Sequence, residues 1–96
     1  MAKGDAIGNL ASVNAAATLT IQPPSGKEWI VHNIYFEAEV EVYLVRGANE
    51  LLFADAAAKG SLSAYFFHLT NAQYIKVKNT NAAAKLVGYD GVESKE

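Results

Sequence analysis

The 96-residue sequence contains no cysteine, two prolines, one methionine, one tryptophan and one arginine. Without cysteine there is neither a disulfide framework nor a thiolate metal site, the two devices that most often hold small domains together. Lysine and arginine number 8 against 10 acidic residues, a net charge of -2 at pH 7. The basic residues are scattered along the chain, so the electrostatic footprint of a nucleic-acid binder is missing and no nucleic-acid partner is expected. No unbroken apolar run reaches the length of a membrane span or a signal-peptide core, although Lys3 lies near the start. The expectation is a chain made in the cytoplasm with no membrane partner, reaching the outside only through assembly and cell lysis. A chain of this size buries a modest core, so packing has to be supplemented by oligomerisation or by a partner.

What is present is a period of two. In "QYIKVKN", Ile75 and Val77 share one parity while Tyr74, Lys76 and Lys78 share the other, the alternation of a strand with one face in a core. "VEVYLVR" does the same with Val40, Val42 and Leu44 inward, and Gly47-Ala48-Asn49 then bends a hairpin into "ELLFAD". In "EWIVHNIYFE", Ile30, His32, Ile34 and Phe36 take one parity and Trp29, Val31, Asn33 and Tyr35 the other. Both sets are substantially apolar, which predicts a central strand covered on both sides. "ATLTIQPP" reads as a strand ended by paired prolines, with Pro-Pro-Ser-Gly as a corner, and "LSAYFFHL" and "KLVGYDGV" complete the set. "DAAAKG", residues 55–60, is the single helical candidate, with Asp55 as N-cap and Gly60 past the end. The fold class predicted is all-β: a small antiparallel β-sandwich or jelly-roll-like barrel of about seven strands with an extended N-terminal arm. Residues 1–14 form the arm and residues 15–96 the domain. The arm lies along a neighbouring subunit, or it packs as an extra edge strand of its own domain. On the first alternative, removing residues 2–13 leaves a folded domain that assembles less well.

The candidate chemical groups are few. His32 and His68 have no cysteine or glutamate at metal-motif spacing, so His32 reads as a hydrogen-bonded core or interface residue. No nucleophile elbow or phosphate-binding glycine loop is present, and neither catalysis, a cofactor nor a metal is expected. Glu37, Glu39 and Glu41 share a parity and are expected to face solvent and pair with the lysines of "YIKVK" rather than to hold a cation. Trp29, Tyr35, Tyr43, Tyr65, Tyr74 and Tyr89 suit a sugar-binding face, a protein interface or a plain core equally.

Three segments, "PPSGKEWIVHNIYFE", "YIKVKNTN" and "GYDGV", give residues 22 to 92 a resemblance to the small virion structural proteins of tailed bacteriophages. The resemblance is to capsid decoration, or cement, proteins. It implies a β-sandwich or jelly-roll domain, a homotrimer, and a place on the capsid surface of the virion where neighbouring major capsid proteins are bridged. The matching motifs are structural, so contact residues do not carry over from them. The expected partner interface is Met1, Ala2, Lys3, Asp5, Ile7, Leu10, Val13 and Asn14 of the arm, with Trp29 and Tyr35 at a subunit contact. The alternative is a glycan- or receptor-binding module of a phage head or tail fibre, for which exposed Trp and Tyr would be the sign.

Overall fold

In the computed structural model of the protein, residues 5–58, 60–62 and 67–95 are described. They form nine strands: β1 (Ala6–Val13), β2 (Thr18–Ile21), β3 (Glu28–Phe36), β4 (Val40–Arg46), β5 (Asn49–Ala56), β6 (Gly60–Leu62), β7 (Phe67–Thr70), β8 (Gln73–Asn79) and β9 (Lys85–Lys95). All pairings are antiparallel. One sheet runs β1-β9-β3-β6 with β7 also on β3, and the other runs β2-β8-β4-β5. β6 and β7 lie end to end along the edge of β3 that β9 does not use. Counted as one strand, they give eight strands in two sheets of four, with the chain crossing between sheets at most connections. That order is a jelly roll. Tyr65, within the expected strand "LSAYFFHL", lies outside the described residues.

The alternating strands fold as their pattern requires. Ile75 and Val77 are fully buried on β8, facing Val40 and Val42 of β4, Ile21 of β2, and Val31, Ile34 and Val87 of the opposite sheet across one core. The β4–β5 hairpin turns on Gly47 at φ 60°, the first central position, where a two-residue hairpin loop places glycine. At the Pro-Pro-Ser-Gly corner the Lys27 N–H donates to Pro24 O at 3.0 Å, with Gly26 at φ 84°. That positive φ at the third turn residue is the glycine requirement of a type II turn.

Strand β3 departs from the expected parity. Its inward residues are Val31, Ile34 and Phe36, with Trp29 partly buried against the same core. The cause is a β-bulge: Val31 pairs with Gly91 and Asn33 with Asp90, so His32 is the extra residue. A bulge switches which parity faces in. The strand is central, as expected, but only one of its faces is covered by the core; the apolar residues on both parities reflect the switch and not a double cover. Gly91 sits opposite the bulge because a Cβ there would run into Ile30 O and lie 2.8 Å from Val31 Cα.

One further expectation is corrected and one alternative is decided. Residues 55–60 form no helix: Asp55 and Ala56 finish β5 opposite Glu41 and Val40, and Gly60 opens β6, while Lys59 lies outside the described residues. A one-turn helix has to meet the nucleation cost alone, and the ladder to β4 does not. Of the two alternatives for the N-terminal segment, residues 6–13 take the second, an edge strand of their own domain: β1 pairs residue for residue with β9 from Ala6↔Val92 to Val13↔Lys85. Ile7 and Val13 supply it with core anchors.

Candidate interaction surfaces

The bulge in β3 determines what the outer face of the first sheet displays. Beyond His32 it turns Asn33 and Tyr35 outward, directly beside the outward Asp90 of β9. Asn33 Nδ2 donates to Asp90 Oδ1 at 2.7 Å, and the Tyr35 hydroxyl donates to Oδ2 at 2.8 Å. Each carboxylate oxygen therefore holds one neutral protein donor. No lysine or arginine pairs with Asp90 among the described residues. The hydrogen bond to Asp90, with smaller contributions from desolvation and the carboxylate charge, raises the Tyr35 pKa above the usual phenol value. On the β1 side Asp90 faces Gly8, which has no side chain. Leu10, 63% exposed, lies on the neighbouring row opposite Gly88, which in turn faces Tyr35. A Cβ on Gly88 would be 2.9 Å from Leu10 Cδ1, so the leucine leans over the glycine towards the tyrosine. Leu86, 42% exposed, stands one row further.

The second surface is β5, the edge of the other sheet. Leu51, Leu52 and Phe53 are consecutive and all exposed. Phe53 is the extra residue of a bulge between Ala54 and Leu52, opposite Val42 and Tyr43, which interrupts the alternation of the strand. Phe53 tilts against Phe67 of β7, with ring centroids 5.7 Å apart, and so bridges the side of the sandwich where β5 lies near β7. Next to this edge the outer face is polar. Lys76 pairs with Glu50 at 3.5 Å, and the Tyr43 hydroxyl donates to Glu41 at 2.6 Å, which raises its pKa.

A third arrangement lies inside. β9 continues past the expected end of its strand, and its odd-numbered residues Val87, Gly91 and Glu93 are buried. Glu93 is 1% exposed, accepts from Trp29 Nε1 at 3.3 Å and lies 4.0 Å from Lys27 Nζ. Trp29 stacks on Tyr89, centroids 6.2 Å apart, and burial raises the Tyr89 pKa. Trp29 is thus a half-buried ring packed against the core, and it holds a buried carboxylate. Glu93 escapes a reading that stops the strand at Val92, although the inward parity from Val87 onward points to it.

The acidic row is dispersed. Glu37 accepts from Leu86 N at 3.0 Å, Glu39 from Asn81 Nδ2 at 2.6 Å and Glu41 from Tyr43. The expected lysine pairing goes instead to Glu50, because Glu37 and Glu39 belong to the β3–β4 connection and not to the ladder. Among the described residues no group of three or more His, Asp or Glu is placed to hold a metal. His32 is the half-buried bulge residue. His68 lines a shallow hollow of about 310 Å³ with Glu28, Arg46, Thr70 and Gln73. Its one hydroxyl, Thr70 Oγ1, accepts from Ala72 N and Gln73 N, both at 3.1 Å, and so holds the turn.

Of the expected interface residues, Leu10 and Tyr35 come together on the outer face, Ile7 and Val13 are core, and Asn14 opens the turn into β2. Asp5 is exposed and receives Glu93 N on its carbonyl at 2.9 Å. Met1, Ala2 and Lys3 lie outside the described residues. Sequence reasoning missed Asp90 and Asn33, since nothing local links residues 57 apart in the chain. No family model matches the chain, and no curated protein matches it significantly.

Proposed function

We propose that the protein is a non-enzymatic virion structural protein, a capsid decoration protein that seats on the head shell and bridges neighbouring major capsid proteins. The observation that carries this reading is the β5 edge. Leu51, Leu52 and Phe53 are 60%, 43% and 37% exposed on a strand that pairs only with β4 among the described residues. Soluble monomers blunt such edges with charges, proline or a covering loop, because an open row of N–H and C=O groups beside apolar side chains pairs with other chains. Here the edge is left adhesive, which suits a protein whose working state is attached. The jelly-roll order is compatible with this role, being common to viral shell and lectin domains, although a fold alone assigns no function. Three copies around a symmetry axis would multiply a modest contact by avidity, and a ligand that binds only the expanded lattice stabilises it by mass action.

The test is co-sedimentation with expanded, DNA-free heads built from the major capsid protein encoded with this chain, alongside mass by light scattering. Binding by the wild type, lost in Leu51→Lys/Leu52→Glu with unchanged melting, is the expected result. Heads that fail to retain the wild type, or retain the double variant equally, overturn it.

A further inference from the structure

We infer that the outer face of β1, β9 and β3 is a carbohydrate platform, in which Asp90, Asn33 and Tyr35 bind a pyranose unit of a polysaccharide chain. This goes beyond attachment to a shell and uses a surface on the other sheet.

The chemistry at the centre of the face is that of an acceptor in want of donors. An ionised carboxylate offers about four lone-pair sites over its two oxygens. Asn33 and Tyr35 occupy one on each oxygen, at 2.7 and 2.8 Å. They fix the carboxylate's orientation and leave acceptor capacity side by side, in the arrangement that adjacent sugar hydroxyls satisfy. Hydrogen bonds to a charged acceptor are stronger than neutral ones, so two such contacts can anchor a small neutral ligand. The Tyr35 hydroxyl, donating to Asp90, keeps its oxygen as a further acceptor.

The surroundings match the rest of a sugar ring. Pyranoses are amphipathic: hydroxyls ring the edge and C–H groups line the faces, and aromatic side chains with a polar tip suit such a surface. Tyr35 is 40% exposed and Leu10, leaning towards it over Gly88, is 63% exposed, so apolar surface stands directly beside the carboxylate. On the other side Gly8 leaves the approach to Asp90 open. The face is a shallow shelf across three strands rather than a closed pocket, which favours a chain passing over it above an isolated monosaccharide.

Two competing occupants fit less well. Protein interfaces are depleted of acidic residues at their centres, and here the centre is an aspartate held by neutral donors. A hard cation requires several oxygen ligands, and this face contributes one carboxylate.

The test is a titration of the isotope-labelled full chain, followed by NMR, with trisaccharides of glucose, of galactose and of N-acetylglucosamine, each beside its methyl monosaccharide. A shallow shelf with a few hydrogen bonds should bind with a dissociation constant of about 1 mM. At least one trisaccharide should shift the amides of Gly8, Leu10, Gly88 and Asp90 and the Asn33 side-chain amide, and bind more tightly than its monosaccharide. Asp90→Ala should weaken it by about tenfold or more, and Tyr35→Phe, which keeps the ring and removes the hydroxyl, should weaken it less. The β5 variant Leu51→Lys/Leu52→Glu should bind the sugar as the wild type does, so failure of shell attachment and failure of the platform are distinguishable. The inference is overturned if none of the three trisaccharides shifts these residues, if binding survives Asp90→Ala in a folded variant, or if monosaccharide and trisaccharide bind equally.

Discussion

Replacing Asn79 by aspartate changes one atom of the side chain and should remove about a third or more of the stability of a domain this size. Asn79 is fully buried at the end of β8. Its Nδ2 donates to Val13 O at 2.8 Å and to Ala83 O at 2.9 Å, with Asn14 O at 3.4 Å as a weaker third contact, while its Oδ1 accepts from Asn81 N at 2.9 Å. Its backbone closes on the same place, through Asn79 N to Ala17 O and Ala16 N to Asn79 O, both 2.9 Å. One side chain thus joins the β1–β2 turn to the β8–β9 connection. In Asn79→Asp the acceptor is retained and the donor becomes an oxygen facing two carbonyl oxygens. Two lost hydrogen bonds are worth about 1 kcal/mol each, and uncompensated burial of charge brings the sum to roughly 3–5 kcal/mol. For a domain of this length that is a fall in Tm of roughly 15–30 °C. Urea melts read by the fluorescence of Trp29, the chain's single tryptophan, measure it directly. The new carboxyl should carry a raised pKa, so the deficit should shrink as pH falls towards about 4. A variant within about 1 kcal/mol of wild type at pH 7 would show that these hydrogen bonds do not hold the two turns together.

Deleting residues 5–13 should unfold the chain or leave an aggregating species, because it removes Ile7 and Val13 from the core, deprives Asn79 of the Val13 carbonyl and bares β9; a cooperative melt of the shortened chain would restore the arm as an accessory. Gly91→Ala should cost about 3 kcal/mol or more, since a Cβ there collides with the backbone at Ile30 and Val31. Removing His32 as well should relieve part of that cost by straightening the bulge, and a double-mutant cycle with no coupling would separate Gly91 from it. Ala16, at φ 63° in the β1–β2 turn, should gain up to about 1 kcal/mol when replaced by glycine, and a loss of stability in thermal melts would contradict the strain. Tyr89, Tyr35 and Tyr43 all have raised pKa values, so the stability they confer is complete below the unfolded tyrosine value of about 10 and is lost as pH climbs through their higher folded values. Tyr89→Phe should flatten the alkaline limb of a stability–pH curve more than Tyr35→Phe, whose exposed hydroxyl is screened; the reverse order would refute burial as the main cause.

The two sheets were not equally legible. β8 and the first half of β4 alternate without interruption, so Ile75, Val77, Val40 and Val42 read directly as inward. β3 defeated the same rule because a bulge is a one-residue offset with no residue type of its own. Its trace was nevertheless present: the inward set Trp29, Val31, Ile34 and Phe36 is spaced two, three, two, which fits an interrupted strand better than one covered on both faces. The edge strand at 6–13 was obscured by small and polar residues, and only Ile7 and Val13 are buried in it. The Asp90 cluster lay beyond any local reading, since its partners Asn33 and Tyr35 are 57 and 55 residues away and are brought alongside only when β3 and β9 pair in the shifted register.

That register also bears on how the two proposed surfaces could work together. The platform lies on the outer face of β1, β9 and β3, in the sheet whose far edge is β6 and β7, and the apolar edge is β5, beyond β4 in the other sheet. The two surfaces thus stand on different sheets of a body of 37 × 28 × 21 Å, and a partner on one does not need the residues of the other. A copy seated through β5 would hold Asp90, Tyr35 and Leu10 outward, and many copies on one particle would convert millimolar contacts with a polysaccharide into firm adhesion through effective concentration. The weakness of a single open shelf is then compatible with function. What such a particle requires of each copy is rigidity of the shelf, which the bulge at His32 and the paired donors on Asp90 provide.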